Sequence, residues 1–215
     1  DTDDDGLLDN EEIQVGTDPN VSDSSIVSFL TNKINSEFTE KYLTDKTIYV
    51  DANARTDGDG SGENPFPKIT DALLKADFGN IVMVAPGTYT ENLSIGKNII
   101  LASHHYTTGD ADYIQNTIIN GSRSGSVVSF VNEVNASAML TGFTITNGYA
   151  EDGGGVHCAN SCSPTLSNLI LKGNEAEQFG GGIYFDVGSN AKVSQSLIVE
   201  NSASGANGNG GGIGA

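Results

Sequence analysis

The chain has 215 residues, 28 of them acidic and 10 basic, and a formal net charge of −18. So negative a protein is repelled by phosphate backbones and by anionic lipid, which argues against nucleic-acid binding. No apolar run approaches the roughly 18 residues that a transmembrane helix needs, so no membrane span is predicted. The length suits one β domain with an N-terminal extension.

Residues 1–24 form an acidic segment without a single basic side chain, and Lys33 is the first cation. The spacing Asp-x-Asp-x-Asp-Gly-x-Leu-Asp-x-x-Glu fits a twelve-residue EF-hand-type loop, in which Gly6 permits the sharp turn. Ca²⁺ prefers six to eight oxygen ligands, and five carboxylates this close repel one another without a cation. The sequence therefore predicts Ca²⁺ as a cofactor, and the alternative is a solvated acidic linker. The predicted ligands are Asp1, Asp3, Asp5, Leu7 through its carbonyl, Asp9 and Glu12.

Residues 25–46 carry apolar side chains at a spacing of four, which predicts an amphipathic helix that begins at the cap candidates Ser24 and Ser25. The apolar stripe consists of Ile26, Leu30, Ile34, Phe38 and Tyr42. The open end of a stack of strands needs a cover, and we expect this helix to cap the N-terminal end of the domain that follows.

From Thr47 onward the sequence changes to short runs rich in β-branched residues, which predict strands. These runs are TIYV (47–50), IVMV (81–84), NIIL (98–101), TII (117–119) and VVSF (127–130). The exception is KITDALLKA (68–76), which predicts one short helix.

From about residue 127 the pattern repeats. Three glycines followed by an aliphatic residue begin at Gly153, Gly180 and Gly210, and an asparagine precedes each triplet at Asn147, Asn174 and Asn201. The apolar residues keep the same phase in three series: Leu140, Leu166 and Val193; Val128, Val156 and Ile183; Phe130, Cys158 and Phe185.

A repeat of this length built from β runs predicts a solenoid over residues 47–215, in which each coil stacks about 4.8 Å above its neighbour. A single coil cannot bury its inward side chains, whereas a stack can. The sequence ends just after the third glycine triplet begins a new coil. We expect either that the natural protein continues or that another subunit covers this edge by self-association.

Residues 47–103 resemble the first coils of the pectin-lyase-like right-handed parallel β-helix proteins, through IYVDANARTDGDGSGENPFPKITDAL and IVMVAPGTYTENLSIGKNIIL. The later GGGI and N-x-A elements are similar to bacterial surface β-helix repeats, including the chlamydial polymorphic outer-membrane proteins. The resemblance implies an all-β, right-handed parallel β-helix. It is weak for function, because such proteins include lyases, hydrolases, epimerases, adhesins and tailspikes.

Residues 1–24 resemble a bacterial thrombospondin type 3 repeat. Such repeats are calcium-binding linkers of secreted or surface proteins, so the resemblance implies an extracellular or cell-surface location. Because they are usually tandem and only one copy is present, we expect the chain to be a piece of a larger protein.

Three further groups of residues could carry chemistry. Asp57, Asp59 and Glu63 lie on a glycine-rich loop that could hold a second cation, although a plain polar turn is the favoured interpretation. Cys158 and Cys162 are close enough in sequence for a disulfide, and the alternative is a buried thiol at an inward position. His104 and His105 fit an exposed loop better than a catalytic or metal-binding pair.

Three functional hypotheses remain. The first is a non-catalytic, adhesive or structural module of a larger secreted or surface protein, in which a calcium-binding linker precedes a β-helix that contacts polysaccharides, cell-surface glycans or neighbouring subunits. The second is the N-terminal part of a polysaccharide lyase or glycoside hydrolase, for which Glu151, Asp152 and Asp186 could supply part of a carboxylate groove. The third is a subunit of an end-to-end assembly that uses β-augmentation. The sequence favours the first, because no catalytic motif of the resembling families is present.

Overall fold

A computed structural model describes residues 46–205 and 208–215. The predicted calcium segment at 1–24 and the predicted capping helix, apart from Lys46, lie outside these residues. The described part is an all-β parallel β-helix, as the sequence predicted, and it carries three short helices where the sequence predicted one. No helix in this part is long and apolar enough to cross a membrane.

Short strands make up most of the regular structure in the described residues. In chain order they are β1 (Thr47–Val50), β2 (Ile81–Val84), β3 (Gly87–Thr90), β4 (Leu93–Ile95), β5 (Ile100–Ser103), β6 (Thr117–Asn120), β7 (Val128–Phe130), β8 (Met139–Thr141), β9 (Thr144–Thr146), β10 (Tyr149–Asp152), β11 (Val156–Cys158), β12 (Thr165–Ser167), β13 (Ile170–Lys172), β14 (Glu175–Phe179), β15 (Ile183–Phe185), β16 (Lys192–Ser194), β17 (Leu197–Val199), β18 (Ser202–Ala203) and β19 (Ile213–Gly214). The helices are α1 (Ile69–Lys75), α2 (His105–Thr108) and α3 (Asp112–Asn116).

The strands of the described residues form four parallel sheets, which run along the axis of the stack. Sheet A has the order β1-β2-β5-β8-β12-β16, sheet B β17-β13-β9-β6-β3, sheet C β19-β15-β11-β7-β4 and sheet D β10-β14-β18. A complete coil visits sheets A, B, D and C in turn, so that each sheet gains one strand per coil.

The core is built from ladders of inward side chains, one rung per coil. Leu140, Leu166 and Val193 are paired in sheet A, and Val128, Val156 and Ile183 in sheet C, which confirms the predicted register. Ile119, Ile145, Leu171 and Ile198 form the ladder of sheet B. Burial of each aliphatic side chain contributes about 1.5–3 kcal/mol.

The glycine triplets form the corner between sheets D and C, where the close approach of backbone excludes side chains. Gly153 has a φ of +62° in the left-handed region, and a Cβ atom there would lie 2.7 Å from Val156 O. A Cβ atom at Gly155 would lie 2.4 Å from Gly182 O in the next coil. The triplet is therefore required by the turn itself and by the stacking of one turn on the next.

An asparagine ladder runs beside this corner, and it corrects one sequence alignment. Asn174 N–H and Nδ2 both donate to Asn201 Oδ1, at 2.9 and 3.0 Å. The equivalent rung in the preceding coil is Gly148, whose N–H donates to Asn174 Oδ1 at 2.9 Å. The sequence repeat aligns Asn147 with Asn174, but Asn147 lies one position earlier in the coil, with a φ of +57°. The shift arises because the first of these coils has a spacing of 26 residues, as the pairing of Ile145 with Leu171 shows.

The first coils match the prediction less closely. Helix α1 lies within the predicted range 68–76, and its start is capped by the Glu91 carboxylate, which accepts the N–H groups of Ile69 and Thr70 at 2.9 and 2.8 Å. The strand predicted at 98–101 begins two residues later, at Ile100, because Ile99 N–H bonds to Lys97 O in a turn.

Candidate functional site

The glycine-rich loop at 56–64 does not gather its carboxylates around one point. Asp57 pairs with Arg55 at 3.0 Å, and Asp59 accepts the N–H of Ser61 at 2.9 Å. That hydrogen bond from the backbone is the largest of the causes that lower the pKa of Asp59. No group of three or more His, Cys, Asp or Glu side chains within residues 46–205 and 208–215 is arranged to hold a metal ion. The loop's geometry is therefore that of a polar turn.

The two cysteines are not bridged in this structure. Cys158 and Cys162 are both free thiols and fully buried. Cys158 lies in the inward ladder of sheet C between Phe130 and Phe185, where it acts as a small apolar side chain. Burial first, and the neighbouring Cys162 second, raise the pKa of Cys158 from 9.0 to about 12. The disulfide expectation is thus replaced by its alternative, a buried thiol.

The histidine pair near residue 104 lies in a helical insertion rather than in the exposed loop that the sequence predicted. Helices α2 and α3 occupy this insertion, and both histidines are half-buried. The ring of His104 contacts the ring of Tyr113 at 5.5 Å, and His105 Nδ1 lies 3.0 Å from Asp110 O. Both side chains therefore have structural neighbours within the insertion itself.

The outer surface of sheet D and the glycine corner beside it carry the most distinctive set of side chains in the described residues. Strand β14 turns Ala176 into the core and leaves the longer side chains of Glu175 and Glu177 outside, since side chains alternate along a strand. We call this surface the acidic–aromatic face. It comprises Arg123, Tyr149, Glu151, Asp152, His157, Glu175, Glu177, Phe179, Tyr184 and Asp186.

A polar network joins three coils at one end of the face. Arg123 Nη2 donates to Glu175 Oε2 at 2.7 Å, and Ser204 Oγ donates to the other carboxylate oxygen at 2.7 Å. These two bonds, that of Ser204 first, lower the pKa of Glu175. The guanidinium of Arg123 also lies 4.7 Å from the centroid of the Tyr149 ring, within the range of a cation–π interaction.

Tyr149 links this network to the next carboxylate. Its hydroxyl donates to Glu177 Oε1 at 2.7 Å, and this hydrogen bond is the main cause that raises the pKa of Tyr149. Glu151 accepts a hydrogen bond from Gln178 Nε2 on the neighbouring strand. The outward side chains of β10 and β14 thus hold one another in place across the coils.

Three rings meet at the glycine corner. Tyr184 is stacked on Phe179 with centroids 5.9 Å apart, and its ring lies 5.5 Å from that of His157, its partner in the adjacent strand. Burial first, then the charges of Asp152 and Asp186, raise the pKa of Tyr184. Two of the three carboxylates that the sequence singled out, Asp152 and Asp186, therefore lie close enough to act on a tyrosine that the sequence did not single out.

One polar atom at this corner lacks a hydrogen-bond partner. His157 Nε2 is buried and unpaired within the described part of the chain. Buried ring nitrogens normally have a partner, so its position beside Tyr184 distinguishes this corner from an ordinary packed turn.

A second concave feature is a groove of about 400 Å³ between α1 and the strands of sheet C. Leu73 and Leu74 form its helical wall, and Ile95 and Val131 lie on the opposite side. Lys97 is the one charged residue that lines it, and its amine already donates to Ala76 O. The residues that line the groove include no carboxylate and no histidine.

The comparisons add a family but no activity. Residues 52–214 match the model of a family described as a protein of unknown function (DUF1565). No curated protein matches the chain.

Proposed function

The chain belongs to the DUF1565 family, whose description assigns no activity, and we propose that its β-helix is a non-catalytic, glycan-contacting module of a larger secreted or cell-surface protein. The observation that supports this most is the cluster of His157, Phe179 and Tyr184 flanked by the carboxylates of Asp152 and Asp186.

The chemistry of sugars fits such a surface. A pyranose ring presents C–H groups on its faces, which pack on aromatic rings, and hydroxyl groups at its edge, which bond to carboxylates and guanidinium groups. Rungs of the face repeat about every 4.8 Å along the stack. A polymer that lies along the axis therefore meets side chains from successive coils, such as Tyr149 beside Glu175 and Asp152 beside Phe179.

Binding can be tested with the full chain and a panel of oligosaccharides by calorimetry. We expect Tyr184→Ala to raise Kd by about tenfold or more, because a few aromatic side chains carry most of the binding energy at such interfaces. The matched control is Tyr106→Ala, which removes an exposed tyrosine (42% accessible) on the distant insertion. Failure of every oligosaccharide to bind, or an equal loss in the control, would overturn the proposal.

We further propose that residues 1–24 bind Ca²⁺ through Asp1, Asp3, Asp5, Leu7, Asp9 and Glu12, as their spacing predicts. Calorimetry on the full chain should detect Ca²⁺ binding that Asp5→Asn abolishes. Asp57→Asn serves as the control, since it removes the same charge from the loop whose carboxylates do not converge. Retention of binding in Asp5→Asn, or its loss in Asp57→Asn, would contradict the assignment.

A catalytic role is the second candidate, and the unpaired Nε2 of His157 beside Tyr184 favours it, because imidazole and phenol groups serve as general acids and bases. An enzyme would release shorter saccharides during prolonged incubation, whereas a binding module leaves them intact. The assembly hypothesis predicts particles whose size in light scattering grows with protein concentration.

A further inference from the structure

The acidic–aromatic face has a strong excess of negative charge. Its one arginine, Arg123, is already paired with Glu175. No ion pair within the described residues involves the other four carboxylates, which are Glu151, Asp152, Glu177 and Asp186. The partners of these carboxylates are neutral: Gln178 for Glu151, the backbone of Phe179 for Asp152, Tyr149 for Glu177 and the backbone of Val187 for Asp186.

The aromatic rings lie inside this negative field. The charges of Asp152 and Asp186 both act on Tyr184, and Glu177 accepts a hydrogen bond from the Tyr149 hydroxyl. Ring faces and carboxylates attract cations by independent electrostatic mechanisms. The carboxylates do not converge to form a metal site in the described residues. A monovalent cation with several hydrogen-bond donors is therefore the better match.

We propose that the acidic–aromatic face selects glycans that carry free amino groups over their N-acetylated and uronic-acid counterparts. This inference rests on the glycan-binding function proposed above and specifies its ligand class. A protonated sugar amine supplies three donors and one positive charge to the carboxylates while its ring packs on tyrosine. Acetylation removes the charge, and a uronate replaces it with one that the face repels.

The test compares three ligands of equal length with the full chain: a glucosamine oligomer, its N-acetylated form and an oligogalacturonate. Slightly acidic buffer keeps the amines protonated. We expect the glucosamine oligomer to bind about tenfold more tightly than the acetylated one, and this preference to shrink with added salt because exposed charges are screened. The oligogalacturonate should bind least.

A pair of matched variants separates the face from the overall charge. Glu151→Gln combined with Glu177→Gln should abolish the preference, while the amides retain acceptor oxygens for Gln178 and Tyr149. Asp112→Asn combined with Glu133→Gln removes the same net charge at exposed positions outside the face and should leave the preference intact. Loss of the preference in both variants would overturn the inference.

The outcomes distinguish the inference from the function on which it rests. Equal affinity for the amine and acetylated oligomers overturns the amine selectivity and leaves glycan binding standing. Absence of binding to any oligomer overturns both. Oligolysine that binds as tightly as the glucosamine oligomer, and equally well to Tyr184→Ala, would show a general attraction of cations and would also overturn the inference.

Discussion

The first coils, residues 47–126, and the periodic coils, residues 127–214, build the same solenoid in different ways. The first coils use longer strands, the capping contact of α1 with Glu91 and an inserted helical pair. The periodic coils use three-residue strands in sheets A and B, glycine corners and an asparagine ladder. Sheet D occurs only in the periodic part of the described chain.

This difference shows where function can be built on the fold. In the first coils helices and loops lie beside the sheets, as α2 and α3 do between β5 and β6. In the periodic coils sheet D stacks one strand on the next, so that outward side chains of neighbouring coils lie side by side, as Asp152 and Phe179 do. The acidic–aromatic face draws its side chains from several coils and could not exist on a single coil.

The glycine corner should give the largest contrast between the two regions. In Gly155→Ala the new Cβ atom would lie 2.4 Å from Gly182 O. We expect chemical denaturation to show a loss of about 3 kcal/mol, the upper range for overpacking. The control, Gly62→Ala in the first coil, brings Cβ no closer than 3.7 Å to Tyr49 and should change stability by less than about 0.5 kcal/mol. Equal losses of stability in Gly155→Ala and Gly62→Ala would contradict the expected difference between the two regions.

The asparagine ladder should give the next largest effect. Asn174→Ala removes the acceptor for Gly148 N–H and the donor to Ile145 O, at 2.9 and 3.0 Å. Because buried groups without partners are costly, the free energy of unfolding should fall by about 2 kcal/mol. Asn147→Gly should be nearly neutral, since Asn147 is exposed and has a positive φ. A loss of stability in Asn147→Gly as large as that in Asn174→Ala would instead support the alignment of Asn147 with Asn174.

As the pH rises, a buried ionisable group in each region should begin to lower the free energy of unfolding at a different pH value. A buried thiol with a pKa near 12 ionises less readily when folded than when unfolded. Its stabilising contribution is therefore complete below pH 9 and is lost as pH rises toward 12, by about 1.4 kcal/mol per pH unit at most.

The corresponding group in the first coils is Tyr89, whose pKa burial raises from 10.0 to about 12. Denaturation at a series of pH values under reducing conditions measures this loss. The free energy of unfolding should decline less steeply than in the unmodified protein from pH 9 for Cys158→Ala, and only from pH 10 for Tyr89→Phe. Declines parallel to that of the unmodified protein would contradict the assigned shifts.

The smallest expected effect concerns surface ion pairs. Arg123→Ala should lower stability by about 0.5 kcal/mol, because the partner Glu175 is only 25% exposed and the guanidinium also contacts Tyr149. Arg55→Ala breaks a pair that is 82% and 66% exposed, and its effect should be too small to measure. Thermal denaturation in low and high salt would measure the loss of stability in each variant. Losses of equal size in Arg123→Ala and Arg55→Ala that do not change with salt would contradict the expectation.

The core could be predicted from the sequence because its ladders consist of aliphatic residues in constant phase. Leu140, Leu166 and Val193 reveal both the coil and its register. Helix α1 could be predicted from a short helical run between two strands. These signals arise from burial, which leaves a pattern in the order of residue types.

Sheet D could not be predicted in the same way. Its inward position in β14 is Ala176, which is too small to produce an aliphatic signal, and the outward residues follow no burial pattern. The partnership of Arg123 with Glu175 spans two coils, so nothing local in the sequence indicates it. The sequence identified Asp152 and Asp186 but not the rings of Phe179 and Tyr184, whose role depends on how successive coils align.

Since sheet D receives a single strand from each coil that contributes to it, the length of its surface is counted in whole repeats. Duplication or deletion of one repeat would lengthen or shorten that surface by one rung and leave the hydrophobic register of the remaining coils intact. Under the glycan-binding function proposed above, a polymeric ligand would gain contacts with each added rung. Under that proposal, copy number would adjust binding strength without remodelling of the existing coils.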